Sequence, residues 1–194
     1  MAANPGALVV TVAAGRPGPH ELTDWDRRCG FGPDDDVMGA RRLEDESALK
    51  HLGATPRWLD FLDRQYADWS SPDPIEVAEA IRELVRDAGL VASPLGLTHP
   101  DHVAVAAACF DLARTQPSVR WIVYEDAIYR AKDGESEAAV AGLRNDGLVL
   151  NPIEFPPASL KRAAIESYTT QLRGLGDLVQ DAYLPERYWE LGVR

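Results

Sequence analysis

The sequence predicts an α/β fold, a Rossmann-like parallel sheet with flanking helices. Residues 7–12 (ALVVTV) form an unbroken, β-branched apolar run, which is typical of a strand buried on both faces of a parallel sheet. Further strand-like runs then alternate with segments of helical periodicity. No repeat, low-complexity segment or linker divides the 194 residues. We therefore expect a single domain over residues 1–194.

Runs of apolar, β-branched or aromatic residues predict the strands, and apolar spacing at helical period predicts the helices. The predicted strands are residues 7–12, 57–61, 90–95 and 120–124, and residues 148–155 are expected to be either a further strand or an extended segment. The predicted helices are residues 37–52, 72–88, 100–115 and 160–175. Gly53 is a natural stop for the first helix. The Gly/Pro-rich residues 16–36 predict a long loop with one helical turn near residues 22–28, and long loops of this kind often border a site.

Composition excludes several classes of protein. The formal net charge is −11, and an acidic surface repels phosphate backbones, so nucleic acid is not an expected partner. No apolar run approaches the ~20 residues that cross a bilayer, and the first residues lack the features of a secretory signal. Cys29 and Cys109 form no motif. They fit a reducing cytoplasm, and we expect both to be packing residues.

Two histidines and a carboxylate occur together in the run His99-Pro100-Asp101-His102. Pro100 suits the first turn of a helix, so His99 and His102, at i and i+3, are expected to point the same way. One imidazole could bind a metal while the other donates a proton, with Asp101 orienting an imidazole. The alternative is a surface helix start with Asp101 near the positive end of the dipole and two solvated histidines.

Three other polar segments each allow a functional and a structural interpretation. Residues 41–46 are either a solvated helix face or place an Arg against an anionic or hydroxyl-rich ligand. Residues 60–63 supply carboxylates to a site or to turn caps. Residues 124–129, with two acids and two aromatics, suit a sugar-binding rim and loop capping equally well. The acidic residues 33–36 resemble a metal loop, but we expect them to supply negative charge at the start of the following helix.

Taken in order, these segments resemble the PIG-L/LmbE-like deacetylase family over about residues 6–190. The matching features are a strand with a Gly turn, an Arg-x-x-Glu helix, a Leu-Asp-x-x-Asp segment, His-Pro-Asp-His, Tyr-Glu-Asp-x-x-Tyr and a late Lys…Tyr…Gln helix. They correspond here to residues 7–15, Arg41 to Glu44, Leu59 to Asp63, His99 to His102, Tyr124 to Tyr129, and Lys161, Tyr168 and Gln171.

The resemblance implies zinc-dependent removal of an acyl group from a small amino sugar of the N-acetylglucosamine type. By this likeness His102 is a zinc ligand. His99 stabilises the oxyanion or protonates the leaving amine, and Asp101 tunes His99. Arg41 and Asp63 match positions that contact the sugar.

The sequence departs from the family at its start. Members begin with a strand that ends in His-x-Asp-Asp, which supplies two zinc ligands and the catalytic base, and this chain begins after that motif. We therefore expect the first, central strand of the sheet to be missing, an incomplete zinc site, and a natural protein that is longer. The alternatives are a non-catalytic carbohydrate-binding or vestigial relative and, third, a subunit completed by a partner's strand.

Overall fold

A computed structural model describes residues 6–156 and 159–193 of the chain. The strands are β1 (Leu8–Thr11), β2 (Thr55–Trp58), β3 (Leu90–Pro94), β4 (Arg120–Tyr124), β5 (Leu148–Ile153) and β6 (Tyr188–Val193). The helices are α1 (Asp24–Cys29), α2 (Val37–Leu52), α3 (Pro74–Arg86), α4 (Pro100–Thr115), α5 (Glu135–Asn145), α6 (Lys161–Glu166) and α7 (Thr169–Leu175). Short 3-10 turns occupy Arg64–Tyr66, Tyr129–Ala131 and Gly176–Tyr183.

The described residues form two compact units. The first takes the chain as far as Ser70 together with residues 159–184, and the second takes Ser71–Pro156 and residues 185–193. The predicted α/β class is confirmed, because parallel strand pairs and flanking helices make up both units. The single domain over residues 1–194 stays a prediction.

The first unit has a two-stranded parallel sheet, in which β1 pairs with β2. The prediction that residues 7–12 are buried on both faces is wrong for most of the strand. Leu8 is 48% exposed and the rest of β1 is half-buried, because β2 is the one strand that hydrogen-bonds to β1 within the part of the chain that the structure describes. Val12 and Ala14, which follow β1, are buried.

Helix α2 has the predicted bounds, and its ends explain why. Asp36 is its N-cap, and its Oδ1 accepts the Gly39 N–H at 2.8 Å. Gly53 ends the helix with a left-handed φ of 63°, which glycine adopts without strain. Of residues 33–36, Asp36 thus caps the helix and places a negative charge at its start, as expected.

The single helix predicted over residues 160–175 is wrong, because the structure has two helices there, α6 and α7. Glu44 of α2 supplies the reason. Its carboxylate accepts the Thr170 N–H at 2.6 Å and the hydroxyls of Thr169 and Thr170 at 2.8 Å. Glu44 of α2 therefore caps the start of α7. These hydrogen bonds stabilise a break between α6 and α7 in place of one continuous helix.

The second unit has a four-stranded sheet of order β3-β4-β6-β5. Strands β3 and β4 are parallel, whereas β6 runs antiparallel to both β4 and β5. Strand β6 and helix α5 are the elements that the sequence analysis missed. The core residues lie mainly on α3, α4 and β4: Val77, Ile81, Val85, Ala108, Leu112, Trp121 and Val123.

Within the described ranges, none of the helices combines the length and apolar character needed to span a membrane. Cys29 and Cys109 are both buried and unpaired by disulfides, which confirms their prediction as packing residues. Gly174 of α7 lies against Cys29 so closely that an added Cβ would approach its Sγ to 2.7 Å. This contact explains why a glycine stands inside the helix.

Candidate active site

The predicted histidine pair lies at the start of α4, in the second unit. His99 is the N-cap residue and Pro100 occupies the first turn, where a missing N–H costs nothing. The ring centroids of His99 and His102 are 5.2 Å apart, so the two imidazoles lie side by side as expected from their spacing. Tyr129 adds an aromatic wall, with its ring 5.7 Å from His99 and 5.2 Å from His102.

Asp126, which follows β4, holds His102 in one orientation. Its Oδ1 lies 2.6 Å from His102 Nδ1, and its Oδ2 accepts the backbone N–H groups of Gly96 and Leu97 at 2.9 and 3.1 Å. Asp126 is 2% exposed. Since an ionised carboxylate only accepts hydrogen bonds, Nδ1 carries the proton and Nε2 of His102 is the nitrogen left for chemistry.

The backbone of the loop between β3 and α4 is bent so that it donates two hydrogen bonds to Asp126. Gly96 has a φ of 82°, and an added Cβ would lie 2.7 Å from the Ala106 side chain. Thr98 also has a positive φ, 53°. A non-glycine residue in this region is strained by roughly 1–3 kcal/mol, and such strain concentrates at functional sites. This backbone turns the N–H groups of Gly96 and Leu97 toward the carboxylate.

Sequence reasoning left the role of Asp126 open between a sugar-binding rim and loop capping. The structure separates the two acids of the segment. Glu125 is 1% exposed and forms a bidentate ion pair with Arg187, whose Nε donates at 2.6 Å. This hydrogen bond raises the pKa of Arg187. Glu125 is therefore structural, whereas Asp126 faces His102. The sequence did contain a sign of this role. Asp126 follows β4 and His99 follows β3, and the ends of two neighbouring parallel strands lie at the same edge of the sheet.

Asp101 is buried in the first turn of α4. A negative charge there is stabilised by the positive end of the helix dipole. The tuning of His99 by Asp101 stays a prediction.

Arg41 and Asp63, the predicted sugar contacts, lie in the first unit and have partners there. Arg41 donates to the fully buried Asp26 at 2.9 Å and to the Tyr66 hydroxyl at 3.3 Å, while that hydroxyl donates to Asp26 at 2.8 Å. Burial raises the pKa of Tyr66. Asp63 caps the turn Arg64–Tyr66 by accepting from the Gln65 N–H at 3.1 Å. Their contact with a sugar stays a prediction.

The donor set does not make a complete zinc site. Among the described residues, no group of three or more His, Cys, Asp or Glu side chains is placed to hold a metal ion. His102 Nε2 is one donor, and zinc in proteins takes three protein ligands at catalytic sites and four at structural ones. The residues present therefore do not by themselves fit the metal that the resemblance implies.

Comparisons with known proteins agree on one kind of relative. No match was found among curated protein sequences. Among solved structures, the A40926 pseudoaglycone deacetylase Dbv21 superposes with a TM-score of 0.74 at 26% identity, over 97% of this chain and 86% of that one. A triple mutant of a deacetylase of the teicoplanin biosynthetic pathway gives 0.76 at 28% identity, over 96% and 86%.

A third structure, the zinc inhibited form of the teicoplanin deacetylase Orf2, gives a TM-score of 0.74 at 25% identity. It matches over 96% of this chain and 87% of that one. The family model PIG-L, described as GlcNAc-PI de-N-acetylase, matches residues 1–113. This match covers more than half of the chain, and the fold agrees with it. The chain belongs to the PIG-L (GlcNAc-PI de-N-acetylase) family.

Proposed function

We propose that this protein is an amino-sugar N-deacylase, which hydrolyses the amide between an acyl group and the nitrogen of an N-acetylglucosamine-type sugar. The observation that carries the proposal is the His102–Asp126 pair, with His99 beside it, in a chain of the PIG-L family. The structural neighbours, named as an A40926 pseudoaglycone deacetylase and as a deacetylase of the teicoplanin biosynthetic pathway, support removal of an acyl group.

The chemistry needs a nucleophile and a proton donor. Hydrolysis adds water to the amide carbon, the C–N bond breaks, and the products are a carboxylic acid and a free amine. The leaving nitrogen must gain a proton, and a positioned imidazole supplies one efficiently. We assign that role, with stabilisation of the oxyanion, to His99. His102, whose Nδ1 is held by Asp126, presents its Nε2 to the reaction centre.

Zinc belongs to this proposal as the metal that the family resemblance implies. The described residues supply His102 as one donor, so no step of the reaction is assigned to the metal here. Arg41 and Asp63 are proposed to contact the sugar, and Asp101 to tune His99.

The test measures free amine released from a methyl glycoside of N-acetylglucosamine, with and without added Zn²⁺. We expect amine release by the unaltered chain and a loss of at least about 100-fold in kcat/KM for His102→Ala and for His99→Ala, the range for a general acid or base. His51→Ala, at the exposed end of α2, is the matched control and should leave the rate unchanged. No amine from the unaltered chain in either condition would overturn the proposal.

The second candidate is a carbohydrate-binding relative without catalysis. The single nitrogen donor at His102 favours it, because one ligand does not hold zinc tightly. This candidate predicts that the methyl glycoside binds, by ligand-observed NMR, while no amine appears at any zinc concentration. Amine release that His102→Ala abolishes would exclude it.

A further inference from the structure

A cavity of about 270 Å³ lies in the second unit, along one side of α5. Its lining combines the helix with one aromatic residue of β6: Ser136, Glu137, Val140, Ala141, Arg144 and Trp189. None of these residues belongs to the histidine cluster or to its supports. The volume lies just below the usual range of ligand pockets, about 300–1,000 Å³, so the cavity suits a ligand of a single ring.

The polar groups of the cavity are short of protein partners. Ser136 is 3% exposed, and its hydroxyl has no hydrogen-bond partner among the described residues. Buried hydroxyls are nearly always hydrogen-bonded. Rotation of the Ser136 side chain toward the cavity would give this hydroxyl a partner on a bound ligand. Trp189 is half-buried, and its indole N–H makes no hydrogen bond within residues 6–156 and 159–193.

The charges of the lining favour a neutral ligand. Glu137 contributes one negative charge and Arg144 one positive charge. Arg144 uses one nitrogen on the Leu150 carbonyl at 2.8 Å, and its other donors are available for a ligand. Glu137 is well exposed, and Arg187 lies 3.9 Å from its carboxylate. With one charge of each sign the lining has no net charge, so it favours neither an anion nor a cation over a neutral ligand that both donates and accepts hydrogen bonds.

We propose that this cavity binds a neutral pyranose ring. A pyranose has an apolar face, which can stack on the Trp189 indole beside Val140 and Ala141, and a rim of hydroxyls that both donate and accept. Ser136, Glu137 and Arg144 offer the complementary hydroxyl, carboxylate and guanidinium groups. The Trp189 indole together with one acidic and one basic side chain favours a sugar over a lipid or an ion.

The ring has two possible sources. One is a free hexose or simple glycoside. The other, which rests on the proposed function, is a second sugar of the amino-sugar substrate. The cavity starts one residue after Glu135, whose carboxylate accepts the Thr98 hydroxyl at 3.4 Å, and Thr98 directly precedes His99.

The test is saturation-transfer NMR titration with methyl β-D-glucopyranoside. Ala141→Leu fills the cavity from the exposed side of α5, and Ala138→Leu, on the same helix but outside the lining, is its matched control. We expect saturable binding by the unaltered chain, a loss of affinity of about tenfold or more for Ala141→Leu, and no change for Ala138→Leu. Absent binding, or equal effects of the two variants, would overturn the proposal.

Further arms test the ring chemistry and its source. Trp189→Ala should weaken binding, whereas Trp69→Ala, at an exposed indole outside the lining, should not. Glucuronate and glucosamine should bind more weakly than the neutral glycoside, and tighter binding of either contradicts the assigned class. If Ala141→Leu and His102→Ala both weaken the binding of N-acetyllactosamine, the ring in the cavity is a sugar of the substrate. If only Ala141→Leu weakens the binding of N-acetyllactosamine, the cavity binds a free sugar. That outcome does not depend on whether the deacylase proposal is correct.

Discussion

Asp126 uses its two carboxylate oxygens for different tasks. Oδ2 accepts two backbone N–H groups from the loop before α4, and Oδ1 holds His102 Nδ1. The same residue therefore fixes the loop, the ring orientation and the tautomer of the histidine. Such orienting carboxylates are found behind both metal-binding and proton-transferring histidines.

Asp126→Asn tests this double role. An amide NH₂ that faced the loop would oppose the N–H groups of Gly96 and Leu97 and lose both hydrogen bonds. An NH₂ that faced His102 would oppose Nδ1–H or force the tautomer in which Nδ1 carries no proton. We expect a loss of about 10- to 100-fold in amide hydrolysis and of about 1–3 kcal/mol in the free energy of unfolding. Steady-state kinetics and urea titration measure the two effects. Asp111→Asn, an exposed acid of α4, is the control, and equal behaviour of the two variants would count against the account.

Among the single elements, α2 is one whose bounds are determined by adjacent residues. Its N-cap, Asp36, and its terminal glycine, Gly53, directly flank the helix, so its bounds follow from the sequence alone. The same is true of α4, which begins at Pro100. The break between α6 and α7 depends on Glu44, more than a hundred residues earlier in the chain. A cap supplied from that distance leaves no local pattern, so sequence reasoning merges the two helices.

The N-cap of α2 carries a pH prediction. A hydrogen bond from Arg16, followed by the Gly39 N–H, lowers the pKa of Asp36. A carboxyl whose pKa is lower in the folded state stabilises the fold above its unfolded pKa of about 3.9, and that stabilisation is lost as the pH falls through the folded value.

Asp36→Asn keeps a good capping side chain but removes the charge. We expect it to lower the free energy of unfolding by less than about 1 kcal/mol at pH 7, because the ion pair is exposed. The difference should begin to shrink below about pH 4 and vanish once the pH is below the folded pKa of Asp36. Asp36→Ala also loses the cap and should cost about 0.5–2 kcal/mol. Thermal unfolding across pH measures both, with exposed Asp34→Asn as control. A deficit of Asp36→Asn that grows in acid would refute the assignment.

For the whole molecule, the alternation of strand-like and helical segments was enough to predict the α/β class. It did not predict β6, which enters the sheet between β4 and β5 from the end of the chain. Its antiparallel pairings are non-local, and nothing near residue 188 signals them. The candidate site has the same property. His99 and His102 were predicted from spacing within one turn, whereas Asp126 joins them only because β3 and β4 are neighbours.

The two thiols report on the integrity of each unit separately. Cys29 lies in the first unit and Cys109 in the second, and burial raises the pKa of Cys109 to about 12 and also raises that of Cys29. The thiolate is the reactive form, so we expect neither cysteine to react with a thiol reagent at pH 8 in the native protein and both to react after denaturation. Rapid reaction of one thiol under native conditions would show that its unit opens independently of the other.

We propose that Asp126 contributes to amide hydrolysis through His102, whose Nδ1 it holds. A double-mutant cycle on kcat/KM for the N-acetylglucosamine glycoside, using His102→Ala, Asp126→Asn and the double variant, tests it most directly. We expect Asp126→Asn to lower kcat/KM by about 10- to 100-fold when His102 is present and to lower it little further once His102 has been replaced. An equal cost of Asp126→Asn in both backgrounds would contradict the claim.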